Sequence, residues 1–393
     1  MKMNVKYIML GVIATCLGLG CTKPYTPAII AGSNNYLVVE GNINTGTDST
    51  IITLSRTVNI SSSANSLPEL NATIAIQDNQ NQSYSLHSTG NGRYVSTLLT
   101  LDPTREYRLS ITTSDGKSYL SDYVPAVASP PIDSVGFTQQ SNGIQLYVNT
   151  HDPNNKTHYY RWDYIETWIF DAKYPSTYIT NGTTDVVFRT AAQQIFQCWG
   201  NDISTDIELG SSAKLSQDVI YQDPLIFIPS TSEKIESRYS ILVKQYAMTT
   251  DGYNYYALLK KNTEQTGSIF DAQPSTLTGN IHCTTNPNLP VIGYVTAGTT
   301  QQKRVYINNS QLPASWIPTY PYDCEVDTAL YCLPEPKGCF NQVLQTLVPP
   351  NNGTVTLGAI FKNSPVPIGY LYTDSQCGDC SIRGTVTKPS FWQ

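Results

Sequence analysis

The chain is 393 residues long, more than one typical domain, and only 14% of it is charged while 27 residues are tyrosine. Its net charge of −6 is spread out with no basic run, which argues against nucleic acid as a partner and against electrostatic docking on anionic lipid. Few charges with abundant Tyr, Asn, Thr and Ser favour β structure with polar, uncharged faces, so an all-β protein of two domains is expected.

Residues 1–20 read as a lipoprotein signal peptide. Lys2 and Lys6 form a positive start and Tyr7 to Leu19 an apolar core. Leu17-Gly-Leu-Gly20-Cys21 resembles a lipobox with Gly18 where Leu is usual, so Cys21 would carry palmitate-type acyl chains and become the mature N-terminus. Cys16 competes as the site, although Thr15 before it suits cleavage less well, and a plain secretory leader is the other alternative. No other stretch is long and apolar enough to span a bilayer, so lipid alone would anchor the chain. Residues 21–35 are then a short polar tether.

Residues 36–127 read as a run of short strands. Leu37 to Val39, Ile51 to Leu54, Thr73 to Ile76, Tyr84 to Leu86 and Tyr94 to Leu98 are separated by Asn, Gly and Asp clusters. A hairpin is expected at Tyr107 to Ile111, turning at Asp115-Gly116 into Tyr119 to Val124. About seven strands in ninety residues fit an immunoglobulin-like or transthyretin-like β-sandwich. The proline-rich Val124 to Pro131 marks the boundary, where no strand is expected to run. Residues 132–393 form a larger β-rich domain, sandwich or barrel-like. It opens with a hairpin around Asn142-Gly143 and an aromatic strand from Tyr159 to Phe170 that should be covered on both faces.

One helix is expected inside that domain. Thr249, Thr250 and Asp251 offer capping side chains, and Tyr255, Leu258, Leu259 and Asn262 recur at i, i+3, i+4 and i+7. Lys260 and Lys261 suit the last turns and Gly267 a stop. Tyr239 to Ala247 before it, and Gly279 to Cys283 and Val291 to Val295 after it, read as strands. Packing of the helix onto the β structure is the simplest role for its stripe.

Several blocks resemble the Bacteroidota lipoproteins grouped as domain of unknown function 4249 (DUF4249). They are RYSILVKQY at Arg238, YNYYALLKKNTEQTGSIFDAQPS at Tyr253, GNIHC at Gly279 and VIGYV at Val291. Tyr36 to Asn42, Ile52 to Thr57, Cys377 to Gly384 and Lys388 to Trp392 agree as well. The resemblance brings no catalytic residues with it. What it implies is a place beside a TonB-dependent outer-membrane transporter, in nutrient capture or gating.

Seven cysteines remain after the leader and the lipidated position: Cys198, Cys283, Cys324, Cys332, Cys339, Cys377 and Cys380. In an oxidising compartment they should pair, leaving at least one over. Five crowd between 324 and 380, and Cys198 with Cys283, the two outside that cluster, form the expected long-range pair. Cys377-Gly-Asp-Cys380 reads first as part of a disulfide staple. Half a zinc site and a redox motif are the alternatives, the latter lacking a helix to open.

No catalytic residue and no metal site is assigned. His87, His151, His158 and His282 are scattered, and His282 and Cys283, adjacent in a strand, should face opposite ways. Asp152-Pro-Asn-Asn155 could hold calcium, but no spacing demands it. Trp162, Trp168, Trp199, Trp316 and Trp392 could stack on sugars, though such residues more often fill cores. Asp48-Ser49-Thr, Asp133-Ser134-Val and Asp327-Thr328-Ala match the short O-glycosylation pattern of that phylum.

The expectation is a lipid-anchored outer-membrane accessory protein without enzymatic activity or cofactor, its ligand a glycan or a peptide. A structural or adhesion lipoprotein is the first alternative and a secreted glycoside hydrolase the second. Thr22-Lys-Pro-Tyr25 lacks the acidic run that signals surface export, which leaves the face of the membrane open.

Overall fold

The computed structural model describes residues 35–58, 66–264, 277–335, 338–348 and 353–393. The leader, Cys21 and nearly all of the tether lie outside the described residues, as does Gly267. Strands are the predominant regular structure among the described residues, as the composition implies.

The first region supplies β1 (Leu37–Asn44), β2 (Ile51–Arg56), β3 (Leu67–Pro68), β4 (Thr73–Asp78), β5 (Ser83–Gly90), β6 (Arg93–Ser96), β7 (Glu106–Thr112), β8 (Ser118–Ser121) and β9 (Val124–Val127). Alternation sets their faces. Ile74 and Ile76 of β4, with Tyr107, Leu109 and Ile111 of β7, point into one core, and the residues between them do not.

The second region supplies β10 (Ile132–Gln140), β11 (Gly143–His151), β12 (Tyr159–Asp171), β13 (Tyr178–Thr180), β14 (Val186–Phe188), β15 (Gln197–Ile203), β16 (Glu208–Ser211), β17 (Val219–Pro229) and β18 (Arg238–Ala247). Helix α1 (Thr250–Glu264) follows, then β19 (Ile281–Cys283), β20 (Val291–Ile292), β21 (Thr296–Gly298) and β22 (Thr300–Asn308). The chain ends in β23 (Asp327–Leu330), β24 (Leu333–Glu335), β25 (Gly338–Phe340), β26 (Thr354–Phe361), β27 (Pro367–Asp374) and the short α2 (Ser375–Gly378).

The first region is not closed by its own strands. β1 pairs antiparallel with β2, and its other edge is filled in parallel by β20 and β21, which return after α1. β21 pairs with β9, and β9 pairs back onto β7, so β7-β4-β5-β6-β2-β1-β21-β9 closes as a barrel-like ring. Strands expected to belong to the second domain are thus part of the first. β9 also runs through the proline stretch where no strand was expected. Pro125 lies opposite Glu106 at the end of β7, a position that tolerates a residue without an N–H.

The second region is a sandwich. Sheet β10-β11-β17 packs on the sheet in which β12 lies between β18 on one side and β15 and β16 on the other, with β22 beyond β18. Trp162, Tyr160 and Phe170 from β12 fill the space between the sheets with Leu146, Val148, Tyr239 and Ile241. Arg161, Asp163 and Ile165 alternate with them and face the other way, toward the barrel. A third small core of Tyr178, Val186, Ala329, Val343, Leu347 and Tyr370 lies under β23-β27-β26.

Two chain crossings run from barrel to sandwich, β9 to β10 and β21 to β22 through Thr299 alone, and between them the chain returns from β18 to β19 by way of α1. Ser129 N donates to Thr299 Oγ1 at 2.9 Å, which ties one crossing to the other. Helix α1 lies beside them. Its cap is Thr249, whose Oγ1 accepts from Gly252 N at 3.2 Å. Its buried face is Gly252, Tyr255 and Tyr256, turned somewhat from the expected stripe, and Leu258, Leu259 and Asn262 are half-buried.

The cysteines correct one expectation. Cys198 is bonded to Cys380, with Cα atoms 5.7 Å apart, and not to Cys283. Cys324 is bonded to Cys377, with Cα atoms 5.8 Å apart. Cys332 is disulfide-bonded too. Among the described residues Cys283 is the free thiol, buried in the barrel core, because β19 pairs with β8 and carries it away from β15. Spacing along the chain could not reveal this, since it does not show which sheet a strand joins.

Candidate functional site

A cleft of about 1080 Å³ separates barrel from sandwich. One wall is the outer face of β1 and β2, with Val38, Glu40, Asn42, Ile51 and Thr53, and the loop residues Asp48 and Ser49 at its edge. The opposite wall is the free face of the sandwich, with Arg161, Asp163, Ile165, Lys244, Tyr246 and Gln302. Tyr255, Tyr256 and Leu259 of α1, with Tyr294 after β20, join the two walls.

Both ends of the cleft are fastened. Lys260 Nζ donates to Ile207 O at 2.6 Å, and Ile207 N donates to Glu264 Oε1 at 2.8 Å, so the last turns of α1 are locked to the loop before β16. Gln302 Nε2 donates to Asp48 Oδ2 at 3.2 Å across the other end. The cleft is thus a space between fixed walls.

Arg161 is its most constrained charged group. Its guanidinium lies 4.7 Å from the ring centres of both Tyr246 and Tyr256, and Nη2 donates to Asp163 Oδ2 at 3.2 Å. Burial works against its charge, but Tyr256, Asp163 and Tyr246 outweigh that and hold its pKa above the ordinary value. Burial, then Asp163, pushes the Tyr246 phenol up, and burial, then Tyr256, does the same to Tyr255. These phenols stay neutral at physiological pH.

The residues singled out in the sequence are dispersed. Ser49 is at the cleft edge and half-buried, Ser134 is exposed on β10 and accepts from Asn149 Nδ2, and Thr328 is exposed on β23. His87 is exposed, His151 lies 2.7 Å from Asp133, and His282 lies 3.4 Å from Asp122 on the side of β19 opposite Cys283. The Asp152 carboxylate accepts from Asn154 N, Lys156 N and Thr157 N, so it organises its own loop. Among the described residues lining the cleft there is neither histidine nor cysteine.

A His–Ser–Asp constellation does occur away from the cleft. His158 Nδ1 is 3.1 Å from Ser212 Oγ, and Ser212 Oγ donates to Asp218. Its order is wrong for nucleophilic catalysis, because the carboxylate holds the hydroxyl and not the imidazole. Ser212 is also fully buried, and Tyr160 donates to the same Asp218. The group is a clasp between β16 and β17.

None of the five tryptophans is exposed, and none lines the cleft. Trp162 is fully buried, Trp168 and Trp392 are buried and Trp199 and Trp316 half-buried. The aromatic surface of the cleft comes from tyrosines, and the one signal of it along the chain is the run Tyr246, Tyr253, Tyr255 and Tyr256.

Comparison with known proteins adds one firm result. The family described as "Domain of unknown function (DUF4249)" matches residues 22–304, which takes in both walls of the cleft and stops short of the C-terminal cysteines. No curated protein matches the chain. Among solved structures, a DUF4785 family protein from Legionella pneumophila shares 9% identity over 53% of this chain and 52% of its own, at a TM-score of 0.20. A two-domain fibronectin type-III segment from chicken tenascin shares 10% identity over 53% of this chain and 88% of its own, at a TM-score of 0.15. Likenesses at these scores carry no argument, and the chain spans about half the length of the Legionella protein. With nearly three-quarters of its length matched, the chain belongs to the DUF4249 family.

Proposed function

We propose that the protein binds a ligand in the cleft between barrel and sandwich and does no chemistry on it. One observation carries this reading: two separately built β units are held at a fixed distance by α1, Thr299 and the Asp48–Gln302 bond, leaving a cavity of about 1080 Å³. Sites of this size, with a few polar groups among aromatic side chains, suit small molecules and short oligomers. On this reading acylated Cys21 holds the cleft at the outer membrane. The partnership with a TonB-dependent transporter, implied by the family resemblance, gives the captured ligand somewhere to go.

Carboxylates on both walls, Glu40 and Asp48 facing Asp163, favour glycoside hydrolysis as a second reading. Incubation with envelope and plant polysaccharides separates the two, since reducing ends released by the wild type and not by Asp163→Asn would establish hydrolysis.

The main test is a mild-detergent pull-down of the tagged, lipidated protein from native outer membranes, followed by mass spectrometry. Recovery of a TonB-dependent barrel in stoichiometric amount is the expected result. Recovery of the protein alone, or with envelope polymers, would replace the transporter role with a structural or adhesive one.

A further inference from the structure

We infer that the cleft recognises short peptides by their free C-terminal carboxylate, held by Arg161 and Lys244. The inference rests on the binding role proposed above and names the ligand class. β12 and β18 run antiparallel, with Arg161 opposite Tyr246 and Lys244 opposite Asp163. The two cations are therefore diagonal neighbours on the face that forms the cleft wall, about 7–8 Å apart at the backbone, a span one carboxylate can bridge with long side chains.

Neither cation is used up by the fold. Asp163, although opposite Lys244, bonds to Arg161, and Lys244 has no hydrogen-bond or ion-pair partner among the described residues. Arg161 is immobilised between two rings, keeps 15% of its side chain exposed, and spends one charged bond on Asp163, which is itself 40% exposed. A guanidinium fixed in this way is organised for a planar carboxylate before the ligand arrives.

The other end of the charge pattern points to peptides. Glu40 on the barrel wall and Asp206 at the rim are exposed carboxylates without partners among the described residues. A neutral glycan needs neither sign of charge, and an acidic one would be repelled by the rim. A peptide carries a carboxylate for the cation pair and an amino group for the rim, and its apolar side chains can lie on Tyr246, Tyr255 and Tyr294.

The test uses the mature full-length chain and three probes: a pool of synthetic tetrapeptides with free C-termini, the same pool amidated, and an oligogalacturonide. Equilibrium dialysis with mass spectrometry reads the bound fraction. The free-acid pool should be retained about tenfold or more over the amidated pool, as expected for loss of a charged hydrogen bond. Lys244→Gln should remove that preference with its thermal midpoint unchanged, and it remains informative if Arg161→Gln fails to fold. Equal retention of acid and amide, preference for the oligogalacturonide, or a Lys244→Gln variant that still discriminates would each overturn the assignment. The pull-down decides the outer-membrane role separately, so either reading can fall without the other.

Discussion

Gln245 Oε1 accepts the indole N–H of Trp162 at 2.9 Å while its Nε2 donates to Pro130 O at 2.7 Å, so one buried amide joins the sandwich core to the crossing from the barrel. Nε2 also reaches Thr150 Oγ1 at 3.1 Å. Replacing it with a residue of similar volume, Gln245→Met, leaves an indole donor and a carbonyl acceptor buried without partners. The expected loss is about 2–4 kcal/mol in urea denaturation. Ligand binding should weaken as well, because the linker that sets the cleft width is released. Unchanged stability would mean that the crossing is held by something else.

Gly293 makes the barrel closure possible. Its φ is +140°, and a Cβ there would lie 2.2 Å from the carbonyl oxygen of Val39 on β1. Gly293→Ala should cost about 3 kcal/mol or more, with loss of amide protection in β1 and β21 under hydrogen exchange. Gly116→Ala is the control. Its φ is +80° but nothing lies near the added atom, so only the backbone term of about 1 kcal/mol is expected.

The Cys198–Cys380 disulfide closes a loop of 182 residues and holds the C-terminal turn against β15. The double change Cys198→Ser with Cys380→Ser should lower stability by about 3–5 kcal/mol in the chain-entropy account. Limited proteolysis should then cut the last residues first. If reductant leaves both the melting curve and the cleavage pattern of the wild type unchanged, the staple has no such role.

Asp223 predicts a pH dependence. Burial pushes its carboxyl up to about 6, and Lys260 only partly opposes that. The folded state therefore keeps a proton that the unfolded chain releases near pH 4. This group's stabilising contribution is present in acid and is lost as pH rises through about 6. Asp223→Asn should flatten stability between pH 4 and 6 and raise it at pH 7 by about 1–2 kcal/mol, discounted because the group is only half-buried. Denaturant titrations at pH 4.5 and 7.5 check the sign, and a gain confined to the lower pH would contradict it.

Local pattern carried much of the architecture. The alternation in β4, β7 and β18, the cap at Thr249 and the turn at Asp115-Gly116 are legible because each depends on neighbours in the chain. So are the aromatic β12 with two populated faces and the separation of His282 from Cys283. The partner of Cys198 was not legible. It depends on β19 joining the barrel while the C-terminal turn comes to β15, two long-range events that leave no mark in spacing.

The sequence by itself determined the β class, the family and the placement of one helix, because composition and short periodicities encode local geometry and solvent preference. Only the tertiary structure decided that the strands after α1 close the first barrel, and so that a cleft exists. Its walls come from residues 38–53, 161–165, 203–207, 244–264 and 292–302. Side chains so far apart in the chain become one site only when sheets have chosen their partners, and that choice is made by burial summed over whole faces.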